Sequence, residues 1–375
     1  MKRELERIGI PDEHEARERT WPVVHAAFAV RQPVPQPSHW RWVAVVAVAL
    51  AATLAATLSQ PGRAVIDEIR EVVGVDRAQP ALFSLPTSGR LLVASDAGIW
   101  IVQEDGSKRL LGNYQQATWS PFGRFVAATR ENELAALEPT GDVRWTLARP
   151  SVRDAQWTGT ETDTRIAYAD RTGIRVVAGD GTDDGLVVRG AHGPLAWRPG
   201  TRGELAYVTA REVRVQDVDG GRVVWRTRRA GGRSPIRALE WSSDGRRLLV
   251  LQPHGLRVYE LDGRVAAQDD PSDATRDADA AFRPSTREAA VIRVHGSEST
   301  VFRIATGTSL FSGTGTFDHV AWSPDGRWLL VTWPTTDQWV FVRVDGKRRI
   351  HAVSNISEQF RSRSFPRVEG WCCAP

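Results

Sequence analysis

The side chains that could do chemistry are few and dispersed. Of the eight histidines, His14, His25 and His39 lie near the start and the others fall one to a region, which reads as isolated imidazoles. The two cysteines, Cys372 and Cys373, are adjacent, whereas a metal site needs spaced ligands and a staple needs distant partners. Asp180-Gly181-Thr182-Asp183-Asp184-Gly185 begins like a calcium loop, but Ala191 stands where the bidentate glutamate belongs, so a plain hairpin loop is expected. There is no Gly-x-Ser-x-Gly elbow, phosphate loop, dinucleotide fingerprint or His-Glu-x-x-His. The expectation is therefore no enzyme, no cofactor and no metal. What remains is charge gathered in links: Arg228, Arg229 and Arg233 in one, Asp269, Asp270 and Asp273 in the next. His295 and Trp333 lie in two further links.

These links belong to a repeat. Its clearest copy is Ala321-Trp322-Ser323-Pro324-Asp325-Gly326-Arg327-Trp328, a strand, a tight turn and a second strand. Pro324 presets φ, Asp325 can bond back to the local backbone, and Gly326 tolerates the exit. The anchors Trp119, Trp157, Trp197, Trp241, Phe282 and Trp322 are spaced 38, 40, 44, 41 and 40 residues apart. A period near 40 with several short strands specifies a β-propeller. Each repeat reads as four strands, A to D outward from the axis, with Gly-containing C–D turns such as Asp219-Gly220 and Asp262-Gly263. Residues 90–112 supply only B, C and D, while Phe365–Trp371 reads as a lone A strand. Joining them gives an all-β, seven-bladed ring closed by the C-terminal strand, six or eight blades being the alternatives. Closure leaves no open sheet edge to template aggregation, and the Trp anchors become inter-blade core.

The preceding residues differ in composition. Residues 1–41 are a charged, helical segment ending in a Pro-rich linker. Residues 42–59 form an uncharged Ala-, Val- and Leu-rich run of 18, flanked by Trp40 and opened by Trp42. At about 1.5 Å per residue such a helix spans roughly 27 Å, enough for a single membrane anchor. Residues 60–80 hold a short amphipathic juxtamembrane helix and linker, and 81–375 the propeller. Arg31 and Arg41 on one side and Arg63, Arg70 and Arg77 on the other do not favour an inside N-terminus. An inside N-terminus with the propeller outside the cytoplasm is nonetheless expected, by analogy with other anchored propellers. The net charge of +4, carried by Arg with three Lys, matches the bias of a GC-rich genome rather than a nucleic-acid surface.

Trp322-Ser323-Pro324-Asp325-Gly326-Arg327-Trp328 resembles the repeat of TolB-like and WD-like β-propellers over residues 83–371. The Gly-His and Trp-Asp pairs of WD repeats are missing, which favours the TolB-like comparison. The resemblance implies protein or peptide binding, so a membrane-anchored binding scaffold or sensor is expected. A transmembrane regulator whose N-terminal segment engages a cytoplasmic partner is the first alternative; an enzyme with a site at the channel mouth is the second. In such a blade the A–B and C–D turns share one face and the B–C and D–A links the other. The first face is tight Pro/Asp/Gly turns. The second carries the links around 228–233, 268–279, 295–299 and 333–338, where binding is expected.

Overall fold

The computed structural model describes residues 84–373 apart from 161, 229–234 and 273. The chain divides between Arg63 and Ala64, and the described residues all belong to the second unit. The expected N-terminal helix, Pro-rich linker, apolar run 42–59 and juxtamembrane helix lie outside the described residues, as do Arg229, Arg233 and Asp273. Among the described residues no helix is long and apolar enough to cross a membrane.

Seven four-stranded antiparallel sheets make a propeller. The first blade is β1 (Arg90–Ser95), β2 (Gly98–Val102) and β3 (Lys108–Gly112). The second is β4 (Gln116–Trp119), β5 (Val126–Arg130), β6 (Glu133–Leu137) and β7 (Val143–Ala148), and the third β8 (Arg153–Gly159), β9 (Thr164–Ala169), β10 (Gly173–Ala178) and β11 (Gly185–Arg189). The fourth is β12 (His192–Trp197), β13 (Glu204–Val208), β14 (Glu212–Asp217) and β15 (Val223–Arg228). The fifth is β16 (Ala238–Trp241), β17 (Arg247–Gln252), β18 (Gly255–Glu260) and β19 (Val265–Asp269). The sixth is β20 (Thr275–Phe282), β21 (Ala289–His295), β22 (Glu298–Arg303) and β23 (Ser309–Thr314), and the seventh β24 (Val320–Trp322), β25 (Trp328–Trp333), β26 (Gln338–Arg343) and β27 (Ile350–Ser354). The last strand, β28 (Arg367–Cys372), pairs with β1 and supplies the inner strand of the first blade. The expected seven blades and their C-terminal closure are both present.

Local chemistry dictates the repeat. The Asp325 carboxylate accepts from Ser323 Oγ at 2.6 Å and from the Arg327 amide at 3.0 Å, while the Trp328 amide donates to Ser323 Oγ at 2.9 Å. Ser242, Asp244, Arg246 and Arg247 repeat this geometry in the fifth blade. Gly326 takes φ +66°, a left-handed conformation that glycine adopts without strain. Where arginine replaces the serine, it reaches forward instead. Arg198 Nε donates to Gly245 O at 2.7 Å and Arg283 Nε to Gly326 O at 2.8 Å, so each stitches its blade to the next turn.

Between β27 and β28 the short helix α1 (Ile356–Gln359) leads to buried Phe360, which packs on Trp100 and Trp339. Asp96 then receives the Arg363 amide at 2.7 Å and Ser364 Oγ at 2.6 Å, and these bonds hold its carboxyl down at about 2. The return of the chain to the first blade is thus pinned before β28 begins. Cys372 and Cys373 are joined to each other; this closes no loop and so constrains little of the chain.

Candidate functional site

The inner strands present their edges to the central channel, where backbone groups need partners. The anchors supply donors backward around the ring. Trp197 Nε1 donates to Gln156 O at 3.0 Å, Trp241 Nε1 to Ala196 O at 3.2 Å and Trp322 Nε1 to Ala281 O at 3.1 Å. Polar side chains supply acceptors forward. Gln116 accepts from the Asp154 amide at 2.9 Å, Glu240 from the Phe282 amide at 3.1 Å and Asp279 from the Val320 amide at 3.0 Å. His319 Nδ1 lies 2.5 Å from Asp279 Oδ2. Burial pushes Glu240 up to about 8 and raises Glu369. Burial also pulls the His319 imidazole down, but Asp279 more than offsets it and the net shift is upward. His319 and Asp279 can hold and exchange a proton. Their hydrogen bonds, however, are those of strand-edge mates, and among the described residues no three His, Cys, Asp or Glu converge as metal ligands.

A different arrangement occupies the outer seam between the fifth and sixth blades. In equivalent ladder positions, Trp145 faces Ala136, Trp225 faces Val215, Phe311 faces Val301, and Ala267 faces Val258. Each aromatic reaches onto the following blade. Trp145 Nε1 donates to Gly179 O at 2.9 Å, Trp225 packs 5.1 Å from Tyr259, and Phe311 packs 5.8 Å from Trp333. Ala267 cannot do so, and a cleft of about 450 Å³ runs past Phe302 and Ile304. Gln268, Asp269, His295 and Glu298 line its end on the link-bearing face. Arg293 lies 4.8 Å over the Phe302 ring, ion-paired to Asp269 and 3.3 Å from Asp277. Asp277 is wholly buried, its Oδ2 has no hydrogen-bond partner, and burial, partly countered by Arg293, pushes its carboxyl up to about 6.

Two of the residues singled out from sequence, Asp269 and His295, therefore meet in this cleft. Asp270 is exposed at its edge, 3.7 Å from Arg257. Arg228 is exposed at the end of β15, on the same face of the neighbouring blade. Trp333 is a correction: at 1% exposure it is core, wedged between Phe311 and Phe317, because it fills the seam between the sixth and seventh blades. The links are also tighter than expected. His295 pairs directly with Glu298 across a two-residue loop, and 275–279 is part of β20 rather than of a link. Nor is the turn face featureless. It carries a cleft of about 430 Å³ at Phe125, Trp145 and Trp157, and another of about 340 Å³ at Asp163, Asp183 and Asp219.

The sequence reading did not single out Glu298, Asp277 or Asp279 within the links that hold them, and it missed Arg293 and Phe302 and, in the channel, Glu240 and His319. The channel residues carried a signal: Gln116, Asp154, Asp279 and His319 each stand three residues before their anchor. The acidic 180–185 segment is the plain loop it was expected to be at its start, where Asp180 accepts from the Thr182 amide and hydroxyl. Its Asp184 is taken up by Arg149, Arg175 and Tyr168.

No protein-family model matches the chain, and no curated protein matches it in sequence. Solved structures share its fold. The Cps50 (Swd1) β-propeller domain of Myceliophteria thermophila is 14% identical, with TM-score 0.56 over 72% of this chain and 99% of that one. Hsv2 of Kluyvelomyces marxianus is 13% identical, with TM-score 0.51 over 71% and 94%. A chain of a mitotic checkpoint complex is 14% identical, with TM-score 0.51 over 74% and 86%. The class is thus a seven-bladed β-propeller, and at these identities the likeness is one of fold.

Proposed function

We propose that this chain is a binding scaffold that receives a protein or peptide partner on the link-bearing face, at the seam between the fifth and sixth blades. The observation that carries this reading is the cleft between the fifth and sixth blades, where Asp269, Arg293, His295 and Glu298 converge on a rigid frame. Arg228 on the neighbouring blade extends the surface with the opposite charge, which suits a polar partner. The apolar run 42–59 supports a single membrane anchor; placing the propeller outside the cytoplasm rests on analogy with other anchored propellers, against the flanking arginine count. The Trp-Ser-Pro-Asp-Gly turns support the TolB-like comparison over the classical WD one.

The partner-binding test places a photo-crosslinking amino acid at Asp270 or at Asp262, in the full chain in native membranes. Adducts from position 270 and none from 262 are expected. Equal adducts from both, or adducts from 262 alone, contradict the choice of face. Protease added to whole cells should reach the propeller and leave residues 1–41 intact; digestion of 1–41 from outside contradicts the orientation.

A further inference from the structure

Resting on the scaffold reading, we infer that the occupant of the cleft is a lysine or arginine side chain on an extended segment of the partner protein. Charge sets the sign of the ligand. Asp269 and Glu298 line the cleft with one guanidinium, Arg293, which Asp269 shares with the buried Asp277 behind it. Asp269 meets Arg293 through Oδ2, which leaves Oδ1 for another donor. Glu298 is exposed and has no ion-pair partner among the described residues. The Arg257–Asp270 pair beside the cleft is balanced and adds no net charge. The cleft therefore holds more negative charge than it neutralises, and a guest cation supplies the balance.

Shape sets the kind of cation. The floor is apolar, formed by Phe302 and Ile304, and the carboxylates stand at the end near His295. A small hydrated ion has no use for that floor. A lysine or arginine lays its methylenes along apolar surface and keeps its head among carboxylates. Arg293 already demonstrates the arrangement from within, with its guanidinium over Phe302 and its donors on Asp269.

The length of the cleft argues for a chain segment rather than a free amine. It runs from His295 and Glu298 at one face to Gly307 and Ser309 at the C–D turn, past the end of β19. That is the height of a strand of five or six residues, on the order of 17–20 Å. β19 is the outermost strand of its sheet, so one edge of its backbone has no strand partner. An extended segment can follow that edge and drop one basic side chain into the cleft.

The test uses the full chain as bait for a random-peptide display library, with Ala267→Trp and Glu298→Gln baits in parallel. Enriched peptides should each carry Lys or Arg. Their retention should fall about tenfold on Ala267→Trp, which refills the seam, and about fivefold on Glu298→Gln, an exposed change that leaves the fold alone. Spermidine should displace them only weakly. Enriched peptides without a basic residue that are still lost on Ala267→Trp overturn the cation and leave the scaffold reading standing. Displacement by spermidine at the peptides' own concentration overturns the chain segment in favour of a free polyamine. Retention unchanged in both variants places binding elsewhere and overturns the inference. No enrichment from any library overturns it together with the scaffold reading.

Discussion

The seam between the fourth and fifth blades and the seam between the fifth and sixth come from the same repeat and are held by opposite kinds of chemistry. The first is held by aromatic side chains and one arginine. Trp225 packs on Tyr259, Trp241 donates to Ala196 O, and Arg198 stitches across to Gly245 O. Its residual cleft is about 120 Å³. The second has Ala267 where Trp225 stands and Ser242 where Arg198 stands, so it lacks both the aromatic plug and the stitch. Ionisable groups take over: Glu240 holds the Phe282 amide, and Arg293 bridges Asp269 and Asp277. One seam is held mainly by aromatic packing; the other is open at its rim and rests on ionisable groups. A repeat can thus keep its fold while neighbouring seams are held by different chemistry.

The largest expected effect is on that titration. Folded Glu240 keeps its proton to about 8, whereas an unfolded glutamate loses it near pH 4.3. The folded state therefore binds more protons in between. The stability this contributes is complete at low pH and is lost as pH rises through 8. Asp277, held at about 6, has the same sign. Denaturation of the full chain at pH 5 and at pH 9 should differ by on the order of 4 kcal/mol from Glu240 alone. In Glu240→Gln, which still accepts from the Phe282 amide, most of that difference should vanish; an unchanged pH dependence would remove Glu240 from the account.

Opening the closed seam comes next. Trp225→Ala should lower stability by about 2 kcal/mol at either pH, since a half-buried indole packed on Tyr259 is lost. The reciprocal change is smaller. Ala267→Trp should raise stability by about 1 kcal/mol by filling the cleft against Phe302, read as a higher midpoint in urea. Destabilisation instead would mean that the seam is closed to an indole and that Ala267 is not the cause of the cleft. The smallest effect belongs to Glu298→Gln, which should change stability by less than about 0.5 kcal/mol, because Glu298 is exposed and unpaired among the described residues.

Much of this architecture was legible in the sequence because it rests on local rules. The Trp anchors, the Ser-Pro-Asp-Gly turns and the orphan strand at the C-terminus are each readable within ten residues, and they gave the blade count and its closure. The site was less legible because it depends on register between distant strands. Ala267 is unremarkable in sequence; only its alignment with Trp145, Trp225 and Phe311 through the ladders marks it as a gap. Trp333 looked like a residue of an exposed link because it precedes Pro334, yet it closes β25 and is buried. Asp277 sat in an Asp-rich stretch that reads as solvated, and the start of β20 carries it inside.

Hydrogen exchange on the full chain, with and without a saturating peptide from the display selection, compares the two seams most directly. The account predicts new protection in 265–269 and 293–303, and none in 223–228 or 255–261. Protection of 223–228 and 255–261 instead, or of the A–B turns, would contradict it.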